Sequence, residues 1–256
     1  MAKPMAIFSI EDRDACTQIR ASVRQFAFAD AARVISGWVR KEGWRYSPWQ
    51  LYEKYADRTF DWKHGTDTRV LAELPALQID SPNKRHGQRY QASPVFSLRR
   101  VLRRLDIDFS DFSFVDFGSG KGRTLLLAGE FPFKQVTGVE FSAQLNASAA
   151  GNISAYRKRQ AGGVATLHCD ATAFELPPDN LVLYFFNPFK EAVLSTVLAN
   201  ICASIRLQPR RIIIVYLFLE SPQLLDGVAG LRLRECWHRF RIYELAAPQR
   251  LHEAAR

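Results

Sequence analysis

The segment Val115-Asp-Phe-Gly-Ser-Gly-Lys-Gly-Arg123 constrains the fold of this 256-residue chain more than any other stretch. It follows a short apolar run and leads into a leucine-rich stretch, so its three glycines fall in a strand-to-helix turn. Glycine lets the backbone turn sharply and lets a ligand approach the main chain closely. The segment therefore predicts a ligand-binding turn in an α/β protein. The alternative is a turn that only packs a helix against a strand.

Short apolar runs alternate with helical stretches from residue 113 onwards. Such alternation predicts an α/β doubly wound fold, in which helices cover both faces of a mostly parallel sheet. Two final β-rich runs are separated by only two residues, which predicts an antiparallel hairpin. The predicted strands are 114–117, 136–140, 164–169, 181–186, 211–218, 231–236 and 239–245, and the predicted helices are 122–131, 142–159 and 190–206.

The N-terminal part follows a different pattern. Apolar residues near helical spacing predict one long helix over 14–40. Residues 49–92 are aromatic and irregular, and a cluster of turn formers predicts a loop over 80–87. We therefore predict two regions: a helical and loop-rich region over 1–92, which covers the site and selects the substrate, and a cofactor-binding domain over 93–256.

The junction between these regions predicts a helix with one strongly basic face. Ser93 is predicted to be the N-cap, with Pro94 in the first turn, and the helix continues to about Leu105. Four arginines lie opposite its apolar stripe, and a solvated face is the simpler interpretation. Contact with nucleic acid or an acidic protein is the alternative. The arginines are Arg99, Arg100, Arg103 and Arg104.

The glycine spacing narrows the choice of ligand. A dinucleotide fingerprint has the spacing GxGxxG, whereas Gly118 here begins a GxGxG pattern. Asp116 lies two residues before that glycine, and a carboxylate is unfavourable beside a pyrophosphate. S-adenosylmethionine (SAM) has no phosphate and carries a positive sulfonium and a positive amino group, so it is compatible with this aspartate. An NAD-dependent oxidoreductase is disfavoured.

Two further acidic residues follow the next predicted strands. Glu140 ends the second strand, where a carboxylate can accept hydrogen bonds from both ribose hydroxyls. The alternative is that it caps the following helix, which Ser142 could do instead. Asp170 follows the third strand and could accept a hydrogen bond from an adenine amino group, with the amide of Ala171 donating to a ring nitrogen. The alternative is a plain turn aspartate.

Four segments together resemble the class I SAM-dependent methyltransferases. Asp116–Gly122 looks like motif I of this superfamily, and Val139-Glu140 resembles the acidic end of its second strand. Cys169-Asp-Ala171 resembles its adenine-side segment, and Asn187-Pro-Phe189 resembles the motif after its fourth strand. The closing hairpin is similar to its reversed seventh strand. The resemblance covers 113–246, about half of the chain.

This resemblance implies a Rossmann-like, mostly parallel sheet of seven strands in the order 3-2-1-4-5-7-6, with a helical N-terminal extension. It implies SAM as the cofactor, S-adenosylhomocysteine (SAH) as its product and methyl transfer as the activity. It also assigns Gly118, Ser119, Gly120 and Phe141 to cofactor binding. The local sequence is similar to a group of uncharacterised bacterial methyltransferases and, more distantly, to Dot1-like lysine methyltransferases.

The segment Asn187-Pro188-Phe189 is similar to the motif with which amino-directed methyltransferases hold the target amine. The resemblance implies that the Asn187 side chain and the Pro188 carbonyl orient the amine and that Phe189 flanks it, with Asn187 also beside the cofactor. This chain has one proline where the motif has two. The alternative is that Asn187 caps a helix and Pro188 occupies its first turn.

A segment with Tyr90 and Pro94 resembles the tyrosine-and-proline segment that folds over SAM in several methyltransferases. The resemblance implies that Tyr90 packs against the adenosine or the sulfonium, since an aromatic face attracts a cation. The alternative is a tyrosine that simply packs under the loop. The sequence leaves open whether Lys121 and Arg123 face ligand or solvent.

Composition and charge bear on the methyl acceptor. The net charge of +9 favours an anionic partner without choosing one. We expect the methyl acceptor to be an amine nitrogen, such as one on a protein side chain. The alternatives are a nucleic acid acceptor and a SAM-binding module without activity. Scattered cysteines and histidines predict no metal site. The short apolar runs predict no membrane span, and together these features predict a cytoplasmic protein.

Overall fold

The computed structural model describes residue 36, residues 48–69, residue 79 and residues 81–245. The chain divides into two compact units, residues 1–56 and 57–256, and the site described below lies in the second. Apart from Ser36, the helix predicted over 14–40 lies outside the described residues. The predicted division into regions 1–92 and 93–256 stays a prediction.

The second unit alternates strands and helices as the sequence predicts. The helices are α1 (Pro48–His64, which begins in the first unit), α2 (Val95–Arg103), α3 (Arg123–Ala128), α4 (Ala143–Ala155), α5 (Glu191–Leu207) and α6 (Pro222–Asp226). The strands are β1 (Phe112–Phe117), β2 (Val136–Glu140), β3 (Val164–His168), β4 (Asn180–Phe186), β5 (Ile212–Leu217), β6 (Leu231–Trp237) and β7 (Phe240–Leu245). Short 3₁₀ turns cover Pro82–His86, Phe109–Asp111 and Ala171–Ala173.

The seven strands form one sheet in the order β3-β2-β1-β4-β5-β7-β6. Strands β1 to β5 pair in parallel, and β7 pairs antiparallel with β5 and with β6. The predicted order and reversed last strand are thereby confirmed, and the chain has the Rossmann-like fold that the resemblance implies. Because the strand order reverses beside β1, the carboxyl ends of β1, β2 and β4 meet at the crevice where such sheets bind ligands.

The central strands are buried because both faces of the sheet are covered. Every residue of β1 and of β5 is buried, whereas the outer strand β3 is only partly so. Helix α5 packs an apolar face against this core through residues at helical spacing, among them Val193, Val197 and Ile201. The resulting rigid layer fixes the loops at the carboxyl ends of the strands.

Two predictions about the N-terminal region are wrong. Residues 48–64 form a helix rather than an irregular stretch, and its buried side chains are those of Leu51, Tyr55 and Phe60. Ser93 does not cap α2; its Oγ lies 2.9 Å from Oγ1 of Thr124 and 3.0 Å from the hydroxyl of Tyr184. The main-chain N–H of Val95 instead donates to Oδ1 of Asp57 over 2.9 Å.

Arg123 holds the end of α1 and the residues after it against the glycine turn. Its Nε donates to Oγ1 of Thr68 over 2.7 Å, and its guanidinium lies 3.5 Å from Asp57 and 3.6 Å from Asp61. The guanidinium also lies 5.3 Å from the ring centre of Phe60. Since Arg123 is buried and paired within the protein, its role is to anchor the 57–68 segment.

Candidate functional site

The glycine turn after β1 is a cradle made by the main chain. Gly118, Gly120 and Gly122 have φ values of 77°, 53° and 82°, the left-handed region that favours glycine. A Cβ on Gly118 would lie 2.5 Å from Cβ of Pro188, and one on Gly120 would lie 2.0 Å from the ring of Tyr90. Neighbouring chain segments therefore approach the turn at distances that only glycine permits.

Glu140 ends β2 and faces this turn. Its carboxylate accepts hydrogen bonds from the N–H groups of Gly120 and Ser142, each over 2.8 Å. Burial raises the pKa of Glu140 to about 7, although both N–H groups and the nearby His168 oppose that rise. Ser142 caps α4 through a hydrogen bond from the N–H of Leu145, so Glu140 is not needed as the cap. The carboxylate is thus held at the cleft wall.

Asp116 is the second buried carboxyl group of the cleft. Burial raises its pKa to about 8, and the charge of Glu140 acts in the same direction, while a hydrogen bond with Thr124 opposes both. These two buried carboxyl groups resist ionising at the same time. A positively charged ligand would bind to them, because it offsets the cost of burying them as anions.

Two neighbouring cavities open at the carboxyl edge of the sheet, and both are lined by Gly118, Phe141 and Pro188. The first is polar and enfolds about 570 Å³ of space that includes open solvent; the second is apolar and enfolds about 360 Å³. The first is also lined by Tyr90, Asp116, Ser119, Glu140 and Phe186. The second is also lined by Val139, Cys169, Asp170, Ala171 and Phe189.

Asp170 is engaged by its own chain. It accepts hydrogen bonds from the hydroxyl of Ser81, from the amide of Asn83 over 3.0 Å and from the N–H of Thr172 over 2.9 Å. Burial would raise the pKa of Asp170, but the hydrogen bonds from Ser81, Thr172 and Asn83 outweigh it and hold that pKa below its usual value. Asp170 therefore lies at the apolar cavity and also fixes the loop that covers it.

That loop continues as a strap, residues 81–93, which crosses the carboxyl edge of the sheet. The N–H of Gln88 donates to the carbonyl of Pro188 over 3.1 Å, and the N–H of Lys190 donates to the carbonyl of His86 over 2.7 Å. The strap is therefore attached to the loop after β4 as well as to Asp170.

Tyr90 holds the middle of the strap against the glycine turn. Its ring packs on Gly120, and its hydroxyl donates to the carbonyl of Thr68 over 2.6 Å. Because Arg123 bonds the side chain of the same threonine, the ring is fixed from two directions. Lys121 bonds Asp67 over 2.8 Å, so both cations of the glycine turn contact the 57–68 segment.

The three residues after β4 occupy different places. Asn187 has a φ of 39°, and its Nδ2 donates to Oε1 of Glu220 over 2.8 Å. Asn187 does not cap α5, whose N-cap is Lys190. The carbonyl of Pro188 accepts from the strap, and Phe189 is buried among core residues at the apolar cavity. Phe189 therefore lines the apolar cavity, which is also lined by Asp170 and Ala171, the residues predicted to contact adenine.

The sequence did not predict three residues that lie near this site: Phe186, Phe218 and Glu220. The rings of Phe186 and Phe218 stack with their centres 5.5 Å apart. Phe218 has a φ of 57°, which is uncommon for a bulky side chain and is typically retained at functional sites. Phe186 ends β4, and Phe218 and Glu220 follow β5. This position was the available signal, because ligands bind at the carboxyl ends of parallel strands.

The arginines of α2 contact other parts of the protein. Arg99 pairs with Glu130 over 2.6 Å, and Arg104 pairs with Glu235. The guanidinium of Arg103 lies 6.0 Å from the ring centre of Phe131. This face therefore offers less free positive charge to an anionic partner than its sequence suggests.

Metal-binding clusters and membrane-spanning helices are both absent from the described part of the chain. Among its residues, no three His, Cys, Asp or Glu side chains group closely enough to hold a metal ion. None of its helices has the length and apolar character needed to cross a membrane.

Solved methyltransferase structures are similar to this chain. A ribosomal protein L11 methylase from Lactobacillus delbrueckii subsp. bulgaricus is 12% identical, with 62% of this chain and 80% of that chain covered and a TM-score of 0.44. A putative RNA methyltransferase from Pyrococcus horikoshii is 15% identical, with 68% and 95% covered and a TM-score of 0.46. The T. thermophilus 16S rRNA N2 G1207 methyltransferase, in complex with AdoMet and guanosine, is 19% identical, with 62% and 44% covered and a TM-score of 0.45.

No protein-family model and no curated protein matches the chain. This chain spans less than half of the T. thermophilus enzyme. At such identities the likeness concerns the fold, which the strand order establishes independently. The likeness to Dot1-like lysine methyltransferases stays a prediction.

Proposed function

We propose that this protein is a SAM-dependent methyltransferase. The observation that carries the proposal is the pair of buried carboxyl groups, Asp116 and Glu140, on either side of a main-chain glycine cradle. Both have raised pKa values and line a cleft at the strand-order reversal. A ligand that is cationic at one end and apolar and planar at the other suits this cleft and the apolar cavity beside it.

Each part of SAM has a matching group in the cleft. Glu140 would accept hydrogen bonds from the ribose hydroxyls, and Asp116 would face the positive amino group. Phe141, Ala171 and Phe189 would enclose the adenine in the apolar cavity. In this proposal Asp170 reaches the adenine only with lone pairs that Ser81, Asn83 and Thr172 leave free. Gly118, Ser119 and Gly120 form the floor, and the Tyr90 ring closes the cleft from above.

The proposed acceptor is an amine nitrogen, such as one on a protein side chain. A carboxylate only accepts hydrogen bonds, so Nδ2 of Asn187 must face Glu220 and Oδ1 must face away. Oδ1 would then accept an N–H of the amine and aim its lone pair. The Pro188 carbonyl, already bonded to Gln88, would assist through its second lone pair.

SAM would supply a methyl group activated by its positive sulfonium. The protein residues would align the nucleophile in line with the methyl–sulfur bond and exclude water, which needs no triad and no metal. The strap and the glycine turn are suited to that task, because they hold the cleft walls at distances of direct contact.

Isothermal titration of SAM tests the proposal. We expect micromolar affinity in the natural protein and a loss of more than about tenfold in Asp116→Asn and in Glu140→Gln, since each change removes a charge-assisted contact. Glu235→Gln is the matched control, because that carboxylate bonds Arg104 on the hairpin side. Absence of SAM binding in the natural protein would overturn the proposal, and NAD would then be titrated.

A further inference from the structure

The carboxyl ends of β4 and β5 bring together two aromatic rings, an amide and an exposed carboxylate. The rings of Phe186 and Phe218 are nearly parallel, with 19° between their planes. Asn187 follows the first ring and bonds Glu220, which follows the second. Phe186 also lines the polar cavity at the glycine turn, so this acceptor cluster meets the cleft through the Phe186 ring.

The backbone holds the acceptor cluster in an uncommon conformation. Asn187 and Phe218 both have φ in the left-handed region, at 39° and 57°. Asparagine tolerates this region, whereas a bulky ring disfavours it. The N–H of Phe218 donates to the carbonyl of Arg239 over 3.1 Å, and the guanidinium of Arg239 lies 4.6 Å from the Phe218 ring centre. The protein thus fixes the ring pair where a free chain would not place it.

The acceptor cluster contains three groups that suit a positively charged nitrogen. The carboxylate of Glu220 is exposed at its second oxygen, which bonds no residue of the described part of the chain. Oδ1 of Asn187 likewise has no hydrogen bond there and is turned away from Glu220. The partly exposed ring of Phe186 offers a face that attracts a cation.

We propose that the acceptor cluster binds the methyl acceptor as an alkylammonium group, of the kind carried by a lysine side chain. This rests on the proposed methyltransferase function and names its substrate class. Glu220 supplies the attracting charge, Phe186 packs against the alkyl chain, and Oδ1 of Asn187 accepts one N–H. Glu220 also positions the Asn187 amide, because its bond to Nδ2 turns Oδ1 away from the carboxylate.

The transfer step balances without a further reactant. The ammonium first releases one proton to bulk water, which frees the nitrogen lone pair. A nitrogen–carbon bond then forms to the methyl group as the sulfur–carbon bond breaks, and its electron pair stays on sulfur. The product is a methylated, positively charged amine and neutral SAH, so the total charge is conserved.

The test uses the full chain loaded with SAH, and n-butylammonium chloride is the probe that is titrated into it. Binding is followed by the NMR signals of the Asn187 side-chain amide at constant ionic strength. Separate titrations with 1-butanol and with adenosine serve as controls. We expect saturable shifts in the millimolar range with n-butylammonium alone. Glu220→Gln should weaken this binding about tenfold, because it keeps a hydrogen-bond acceptor for Asn187 and removes the charge. Glu220→Ala should weaken it at least as much.

The matched control is Glu191→Gln, since Glu191 is a neighbouring carboxylate that bonds Ser221 rather than Asn187. It should leave n-butylammonium binding within about twofold. The proposal is overturned if n-butylammonium gives no saturable shift, if Glu220→Gln binds it like the natural protein, or if adenosine binds instead. SAH affinity is measured first in the natural protein and in every variant. If the natural protein does not bind SAH, both the methyltransferase proposal and the alkylammonium proposal are overturned. If it binds SAH but n-butylammonium does not bind, only the alkylammonium proposal is overturned.

Discussion

The carboxyl ends of β1 and β2 and those of β4 and β5 form two halves of one edge of the sheet, but they are built differently. After β1 the turn is built of glycines, and the carboxyl groups of Asp116 in β1 and Glu140 at the end of β2 are buried. At β4 and β5 the left-handed positions are Asn187 and Phe218, and the carboxylate of Glu220 is exposed. The first half depends on close contact between other chain segments and the glycine main chain, which tolerates little change in sequence. The second half depends on side chains, which can change with the substrate.

The largest effect that would sharpen this comparison is expected from Gly120→Ala. The added methyl would lie 2.0 Å from the Tyr90 ring, and alanine disfavours the φ of 53°. We expect SAM affinity to fall more than about 100-fold, measured by isothermal titration, because the ring or the turn must move. Natural affinity in a folded variant would show that Tyr90 is not part of the cradle.

Gly151→Ala is the control for that variant. Gly151 lies in α4, and a Cβ there meets no atom within 4 Å. Alanine is the better helix former by roughly 0.5–1 kcal/mol, so this variant should bind SAM normally and unfold at a slightly higher temperature.

The pH dependence of stability gives the next effect. The folded-state pKa values of Asp116 and Glu140 are raised to about 8 and about 7, so the folded protein retains protons that the unfolded chain has lost. The stability that these groups contribute is fully present below the unfolded pKa and is lost as the pH rises through 7 and 8. We expect the free energy of unfolding from urea titrations to fall between pH 5 and pH 9, and less steeply in Asp116→Asn.

SAM affinity should depend on the ionisation of the same two carboxyl groups, but it should rise with pH where the stability falls. A cationic ligand favours the ionised carboxylates, so binding should release protons and tighten between pH 6 and pH 7.5. The slope can reach about tenfold per pH unit for each proton released. Titration heats in two buffers of different ionisation enthalpy measure that release. A pH-independent affinity would mean that neither carboxyl group meets the positive charge.

The same difference explains how far the sequence predicts this molecule. The alternation of strands and helices and the placement of Asp116 and Glu140 at strand ends follow from apolar runs and glycine spacing, which are local signals. The strand order follows from the resemblance of four motifs to a known superfamily. The engagement of Asp170 by Ser81 and Asn83 depends on a contact between residues almost 90 positions apart, which no local pattern reports. Glu220 was missed for a similar reason, since its partner Asn187 lies on the neighbouring strand end.

A smaller effect is expected where the strap joins the cofactor half. Ser81→Ala removes the hydroxyl that bonds Asp170 and accepts from the N–H of Asn83. Losing about 1 kcal/mol of hydrogen bonding should weaken SAM binding about fivefold. Hydrogen exchange at the Gln88 amide should also become faster. Ser148→Ala, which changes a half-buried serine of α4 that bonds only its own helix, should alter neither quantity.

The smallest expected effect lies in the acceptor half, where Phe218→Leu separates ring stacking from apolar bulk. Leucine keeps an apolar side chain at the same strained position but cannot stack on Phe186, so SAM affinity should stay within about twofold. Binding of n-butylammonium to the SAH-loaded variant should weaken about three- to fivefold, because Phe186 loses the ring that holds its orientation. Phe218→Tyr keeps the ring and should bind n-butylammonium normally. If Phe218→Leu instead weakened SAM binding as strongly as Glu140→Gln, the two halves would not be separable and the acceptor cluster would belong to the cofactor site.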